Sequence, residues 1–296
     1  MPQSQPVIWR ALNIFMNIAR ALPHEKAVSL GSVLGGLVPL FTKKKFGEAV
    51  QRCADVLHIE RNEAYQIVRR SYKHFGRDAA EFARLPMMAD KLDSLVTLYG
   101  ADHLDKALAH GRGVILATAH IGNWEYAAAY LAHKGYKVRS LGTDQRDSRI
   151  TELIKELRSA GGSTPLGKAD DLRAVIASLK AGDLLAVPID QDAKQHGVAV
   201  PFLGRMASTP QGPAKLAARL GCAVLAGICV RQPDGISFKI ELTPQFEEAG
   251  GMPFGKDIAA SLTKLNDYFS DAIRKYPDQW MWMYPRWESV ERGLFS

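Results

Sequence analysis

The spacing of apolar residues divides the chain into a helical first part and a second part in which strands and helices alternate. Residues 46–85 place apolar side chains three and four positions apart, which predicts helices. From about residue 112, short apolar runs bounded by glycine predict buried strands. The predicted strands are 113–119, 136–141, 183–190, 222–230 and 236–242.

Helical patterns fill the intervals between these strands. They cover 124–134, 147–162, 169–182, 212–221 and 255–275. Asn123 is a good N-cap for the first of them, and Asp147 or Ser148 for the second. Alternation of this kind predicts an α/β fold, with a mainly parallel or mixed central sheet and helices on both faces. Active sites in such sheets gather at the carboxyl ends of the strands.

The amino-terminal segment has a different pattern. Residues 27–42 contain no charged side chain, yet this stretch is shorter than the roughly 20 residues that a membrane-spanning helix needs. The preceding stretch, 7–22, is apolar but interrupted by Arg10 and Arg20. Together with the lysines at 43–45, this pattern favours a helical segment over residues 1–45 that lies in a membrane interface. The alternative is a helical hairpin buried against the rest of the protein.

The net charge and the cysteine content limit the binding partners and the kinds of site that the chain is expected to have. The formal net charge is +7, which suits nucleic acid, anionic lipid or an acidic carrier protein. No recognised nucleic-acid motif accompanies the charge, so nucleic acid is not expected as a partner. The three cysteines are scattered without metal-ligand spacing, which indicates a reducing compartment and no metal site.

Candidate chemistry is concentrated in HIGNWE, residues 120–125, where a predicted strand gives way to a helix. Gly122 permits a tight turn, and Glu125 falls in the first helical turn, from which it could accept the Nδ1 proton of His120. Nε2 would then be free to remove a proton from a substrate hydroxyl or amine. A purely structural histidine–carboxylate pair remains the alternative.

At this point the sequence resembles a family. HIGNWE is similar to the H-x4-D/E block of the glycerolipid acyltransferases, and the nearest match is the bacterial lipid A biosynthesis (lauroyl/myristoyl) acyltransferases. Two further regions carry the resemblance, namely 158–225 and the ending YPDQWMWMYPRW. The aromatic residues of that ending suit either an acyl-chain or interfacial role or a closing patch of the core.

The resemblance implies a glycerolipid acyltransferase-like fold, with residues 46–296 as the acyltransferase domain. His120 would be the general base that deprotonates the acceptor hydroxyl, and Glu125 would orient it. Arg158 matches an arginine associated with substrate or phosphate contacts, although it could also be a solvated helix-face residue. Asp190 and Asp192 match paired aspartates after a strand, where they could instead cap a loop.

Asn123 is expected among the substrate-binding residues, and no metal ligand is implied. The donor would be an acyl thioester, acyl-acyl carrier protein or acyl-coenzyme A, with no other cofactor. Expected partners are acyl carrier protein, anionic membrane lipids and a glycolipid acceptor of the lipid A type, at the cytoplasmic face of the bacterial inner membrane. The alternatives are another lipid acceptor, of the lysophospholipid or ornithine-lipid type, or a non-catalytic protein that binds lipid surfaces.

Overall fold

The computed structural model describes residues 6–142, 145–167, 172–247 and 254–295. The helices, with short 3-10 turns left aside, are α1 (Pro6–Ala21), α2 (His24–Phe41), α3 (Lys43–Leu57), α4 (Arg61–Arg84), α5 (Leu92–Leu95), α6 (Ala101–Leu108), α7 (Trp124–His133), α8 (Ser148–Ala160), α9 (Leu172–Lys180), α10 (Gly212–Leu220), α11 (Ile258–Lys275) and α12 (Glu288–Glu291). The strands are β1 (Val96–Tyr99), β2 (Val114–Thr118), β3 (Val138–Leu141), β4 (Thr164–Leu166), β5 (Leu184–Pro188), β6 (Gly197–Phe202), β7 (Arg205–Pro210), β8 (Ala223–Arg231) and β9 (Phe238–Leu242).

Seven strands form a mixed, mostly parallel sheet in the order β1-β9-β8-β2-β5-β3-β4. Strands β8 and β9 are antiparallel, and every other neighbouring pair is parallel. This arrangement confirms the predicted α/β class and all five predicted strands. Strands β6 and β7 form a separate antiparallel hairpin.

Helices cover both faces of the sheet, as predicted. Along β2, Ile115 and Ala117 enter one core with α3, α4, α9, α10 and α11. Val114 and Leu116 point to the opposite face and enter a second core with α5, α6 and α7. This division follows from the alternation of side chains along a strand, and it explains why β2 is apolar throughout.

Local sequence signals fix several helix ends. The Asp147 side chain accepts a hydrogen bond from the backbone of Arg149 and caps α8, and the side chain of Asn123 caps α7 in the same manner. Both caps confirm predictions. The expected start of the helix at 169–171 lies outside the described residues.

The amino-terminal helices pack on α4 through backbone contact. A Cβ atom built at Gly31 would overlap the carbonyl oxygen of Gly76, and a Cβ atom at Gly76 would overlap that of Gly31. Only glycine fits at such a helix crossing, so α2 and α4 approach more closely than side chains would permit. Residues 43–45, which the sequence assigns to the end of the membrane-associating segment, form the first turn of α3.

The outer sides of α1 and α2 carry exposed apolar side chains. These are Val7, Ile8, Ile14 and Ile18 in α1, and Val33, Leu34, Leu37, Val38, Leu40 and Phe41 in α2. The segment therefore combines features of both interpretations, because one side packs on the protein and the other remains uncovered. Among the described helices, none is both long and apolar enough to cross a bilayer.

Candidate active site

The turn between β2 and α7 holds the candidate histidine at the carboxyl end of the sheet. Gly122 has a φ of 59°, and a Cβ atom there would collide with the carbonyl oxygen of Cys229 on β8. The next residue, Asn123, donates its backbone N–H to that same oxygen at 2.8 Å. The turn is thus pressed against β8, and His120 lies just before it.

His120 is paired with Asp190 and not with Glu125. Its Nδ1 lies 2.7 Å from Asp190 Oδ1, and its backbone N–H donates to Asp190 Oδ2 at 2.8 Å. Because an ionised carboxylate only accepts hydrogen bonds, Nδ1 carries the proton. The backbone of Ile189 donates to Thr118, which extends the parallel β2–β5 register and sets residue 190 beside residue 120.

The side chains of His120 and Asp190 differ in solvent exposure. The Asp190 side chain is 2% exposed, whereas the His120 side chain is 14% exposed. Burial would raise the pKa of Asp190, but attraction to His120 and hydrogen bonds from His120 and Trp280 lower it. Nε2 of His120 has no hydrogen-bond partner among the described residues, so it can meet a substrate.

The predicted Glu125 contact is wrong, and its physical reason is a stronger partner. Arg158 donates to Glu125 through Nη2 at 2.7 Å and through Nε at 3.0 Å. This two-pronged contact joins the first turn of α7 to the last turn of α8, and charge-assisted pairs of that geometry outcompete a single imidazole. Trp124 adds an indole N–H to the same carboxylate at 3.1 Å.

Arg158 is not the solvated helix-face residue of the alternative interpretation. Its side chain is 13% exposed. Burial would lower the pKa of Arg158, but the Glu125 carboxylate outweighs it and raises the pKa. The third nitrogen, Nη1, lies beside Gly142 and has no hydrogen-bond partner in the described part of the chain.

The Trp124 ring joins the two pairs. Its centroid lies 4.7 Å from that of His120 at an interplanar angle of 69°, an edge-to-face contact. The indole therefore contacts the imidazole of one pair and the carboxylate of the other.

Asn123 differs from its expected role in substrate binding, because it is buried and bonded at both ends of its amide. Its Oδ1 accepts from the backbone of Tyr126, and its Nδ2 donates to Glu81 at 2.7 Å. Glu81 also accepts from Arg231, which in turn donates to Asp78. Through this buried cluster, residues of α4 and β8 hold the turn between β2 and α7 in place.

Sequence reasoning missed the cluster because its members are far apart along the chain. Burial alone would lower the pKa of Arg231, but the carboxylates of Glu81 and Asp78 raise it, so the guanidinium stays charged inside the protein. A charged Arg231 at the end of the otherwise apolar β8 is the signal that could have indicated the cluster.

Asp190 and Asp192 do not act as a pair. Asp190 lies beneath His120, shielded from solvent, which differs from the expected substrate contact. Asp192 accepts hydrogen bonds from the backbone and hydroxyl of Ser289, at 2.8 and 2.5 Å. It also accepts from the backbone of Lys194. Asp192 thus matches the loop-capping alternative and ties the loop after β5 to α12.

Comparison with known proteins places the chain in a family. The family model described as "Bacterial lipid A biosynthesis acyltransferase" matches residues 3–289. The chain belongs to that family. Three similar proteins agree with this assignment, and each is named as an acyltransferase.

The palmitoleoyltransferase and the lauroyltransferase of lipid A biosynthesis from Escherichia coli are each 22% identical to this chain. Their matches cover 93% and 97% of the chain and 89% and 93% of the relatives. A phosphatidylinositol mannoside acyltransferase from Mycobacterium tuberculosis is 29% identical over 226 residues, covering 73% of the chain and 69% of the relative. The protein is therefore an O-acyltransferase, and the non-catalytic alternative is set aside.

The aromatic ending of this acyltransferase is part of its core. Trp280, Trp282 and Trp287 are at most 1% exposed and pack around Phe202 and one another. Of the two interpretations that the sequence allows, the closing core patch is correct for these tryptophans. Burial lowers the pKa of the neighbouring Arg286 to about 10, and its guanidinium donates to the backbone of Ser208.

Proposed function

We propose that the protein transfers a fatty acyl chain from an acyl thioester to a hydroxyl group of a glycolipid, with His120 as the general base. The observation that carries the proposal is the orientation of one ring, whose Nδ1 is held by buried Asp190 while Nε2 stays unpaired. The relatives' names support a glycolipid acceptor, because lipid A and phosphatidylinositol mannoside are both sugar-bearing lipids.

In the proposed reaction, Nε2 of His120 accepts the proton of the acceptor hydroxyl while the hydroxyl oxygen attacks the thioester carbonyl carbon. A C–O bond forms, the C–S bond breaks, and the departing thiolate takes the proton back from Nε2. The ring is positively charged between the two transfers, and the Asp190 carboxylate stabilises that charge. The cycle as written consumes no cofactor.

The Glu125–Arg158 pair has a different proposed task. Two nitrogens of Arg158 are committed to Glu125, and Nη1 is left to contact an anionic group. A phosphate of the acceptor or of a phosphopantetheine-bearing donor fits this chemistry. Acyl carrier protein and coenzyme A both present such a group, so the donors must be compared directly.

An apolar pocket lies on the α7 side of the sheet, next to the proposed site. Thr118, Trp124, Ala127, Ala128 and Gly227 are among its lining residues, and Trp124 connects it to His120. Its free volume is about 20 Å³, enough for about one water molecule. The pocket is therefore too small to hold an acyl chain in this conformation.

The uncovered apolar sides of α1 and α2 support attachment to a membrane surface. Exposed Lys43, Lys44 and Lys45 are separated from exposed Phe41 by Thr42 alone, so apolar and cationic groups lie close together along the chain. Anionic lipid attracts lysine side chains near the surface by about 1 kcal/mol each. The proposed location is peripheral or monotopic, at the cytoplasmic face of the bacterial inner membrane.

Vesicle flotation tests this attachment. Leu37→Ser combined with Phe41→Ser should reduce binding to anionic vesicles, whereas Tyr99→Ser combined with Met206→Ser, which changes exposed apolar residues elsewhere, should not. Equal losses in both double variants would contradict the assigned surface. Neutral vesicles should bind the unmodified protein more weakly than anionic ones.

The function is tested with purified protein, acyl-acyl carrier protein or acyl-coenzyme A, and separate acceptors. A lipid A precursor, a phosphatidylinositol mannoside and a lysophospholipid would be offered in turn, and mass spectrometry would detect the acylated product. Transfer to either glycolipid that disappears in His120→Ala supports the proposal. Exclusive transfer to the lysophospholipid would favour the alternative acceptor class.

A further inference from the structure

A segment near the end of the chain runs alongside the His120 turn. This segment comprises residues 279–282. The backbone N–H of Gly122 donates to the carbonyl oxygen of Gln279 at 2.9 Å, and the backbone N–H of Met281 donates to the carbonyl oxygen of His120 at 3.2 Å. Trp280 lies between these two contacts, and its indole N–H donates to Asp190 Oδ2 at 2.8 Å. Trp280 has no role in the proposed reaction as described above.

We propose that Trp280 is a positioning residue of the acyl transfer, acting through Asp190 to keep the carboxylate aimed at His120. The inference rests on the proposed function of His120 as the base. It adds a residue 160 positions from the histidine in the sequence to the groups that prepare the ring.

The hydrogen bonds at Asp190 explain why an indole is needed. The terminal torsion of an aspartate is soft, and without the indole both remaining hydrogen bonds to Asp190 come from His120, the residue that the carboxylate has to position. Oδ2 accepts from both the Trp280 indole and the His120 backbone, and Oδ1 is thereby left facing Nδ1 at 2.7 Å. Two donors on one oxygen fix the plane of the group, and the plane fixes the ring.

The donor itself is held firmly. Trp280 is 1% exposed, and its ring contacts Trp282 at 4.7 Å and Phe202 at 5.7 Å between centroids. Its carbonyl oxygen accepts from the Ser71 hydroxyl on α4 at 2.5 Å. The indole thus cannot follow the carboxylate if it turns, so it acts as a fixed point.

Loss of the indole N–H should shift the pKa of Asp190 in a predictable direction. Without that donor the Asp190 carboxylate is less stabilised, its pKa rises, and the His120–Asp190 pair takes up a proton more readily. The acid limb of the rate profile should move to higher pH by about one unit, the effect of one hydrogen bond to a charged group. Arg286 and Tyr284, the other titratable groups that interact electrostatically with Asp190, are not changed by the substitution.

A matched pair of variants tests the proposal. Trp280→Phe removes the donor to the carboxylate, whereas Trp282→Phe removes an equally buried indole whose N–H donates to the carbonyl of Pro277 at 2.7 Å. Trp280→Phe should lower kcat about tenfold, leave KM within about twofold, and shift the acid limb upward. Trp282→Phe should leave the acid limb in place.

Two further measurements guard against misfolding and against failure of the proposed function. Replacement of Trp280 by benzothienylalanine, in which sulfur stands for the N–H, keeps the ring shape and should reproduce the upward shift. On an Asp190→Asn background, Trp280→Phe should have no further effect on the profile. In the absence of substrate, the carboxyl ¹³C resonance of Asp190 should titrate at higher pH in Trp280→Phe than in Trp282→Phe.

Identical pH profiles and identical Asp190 titrations in the two tryptophan variants would overturn the inference. If the unmodified protein transfers no acyl group while the Asp190 titration still moves in Trp280→Phe alone, the proposed function fails and the link from Trp280 to Asp190 stands. If transfer occurs but the titration does not move, the link fails and the function stands.

Discussion

Two carboxylates lie near the carboxyl end of β2, and each accepts a hydrogen bond from a tryptophan indole. Asp190 takes the N–H of Trp280 and Glu125 takes that of Trp124. Their other partners differ, because Asp190 faces the imidazole of His120 and Glu125 faces the guanidinium of Arg158.

The difference separates the proposed site of proton transfer, His120–Asp190, from a fixed ion pair, Glu125–Arg158. An imidazole exchanges its proton near neutral pH, whereas a guanidinium keeps its charge under all ordinary conditions. Asp190 is almost completely buried, and its partner presents one free nitrogen; the Glu125–Arg158 pair is exposed to a similar, modest degree on both sides. Two carboxylates that each accept an indole hydrogen bond thus differ in chemistry because one is paired with an imidazole and the other with a guanidinium.

The largest expected effect comes from the imidazole. His120→Ala should lower kcat by about 10²- to 10⁴-fold, the range that a general base contributes. The same replacement at His133, a partly exposed histidine at the end of α7, is the control and should leave kcat unchanged. Steady-state acyl transfer measures both, and a His120→Ala protein that keeps its rate would remove the distinction between the two carboxylates.

Asp190→Asn should have the next largest effect, a loss in kcat on the order of 10²-fold, because the amide no longer stabilises a charged ring. Asp192→Asn is its control, since that carboxylate lies two residues on and binds Ser289 instead of His120. A pH–rate profile that changes in Asp190→Asn but not in Asp192→Asn would locate the proton transfer at the first site. Equal losses would contradict it.

Glu125→Gln should reduce kcat/KM by about tenfold, because the hydrogen bonds that orient Arg158 lose their charge assistance. The acid limb of the profile should stay where it is in the unmodified protein. Glu152→Gln, on the exposed side of α8, provides the control. Movement of the acid limb in Glu125→Gln would show that the two carboxylates share one proton-transfer system.

The smallest effect is on stability in acid. The pKa of Asp190 is lowered in the folded protein, so its stabilising contribution is present above about pH 4, the ordinary range of an aspartate, and is lost as the pH falls further. The free energy of unfolding should therefore decline more steeply below pH 4 in the unmodified protein than in Asp190→Asn. Urea titrations at several pH values measure this slope, and parallel curves would contradict the expectation.

Much of the fold follows from local patterns. The five apolar runs become strands β2, β3, β5, β8 and β9, and the caps at Asn123 and Asp147 are where the sequence indicates. Strands β1 and β4 and the hairpin strands β6 and β7 escaped detection; β4 has only three residues, which carry too little periodicity to distinguish it from a loop.

The partner of His120 escaped detection for a different reason. Both His120 and Asp190 follow predicted strands, which places them at the same edge of a parallel sheet. Their contact also requires β2 and β5 to be neighbours in register, and strand order is decided by tertiary packing and not by any local pattern. Proximity along the chain favoured Glu125 and led to the wrong partner.

The glycine crossing between α2 and α4 has a consequence for how the molecule meets its surroundings. A single methyl group at Gly31 or Gly76 would push α2 away from α4. The placement of the exposed apolar side of α2 relative to the turn that holds His120 is thus governed by two positions that bear only a hydrogen atom, and in the proposed attachment the same two positions would set the orientation of the protein on lipid.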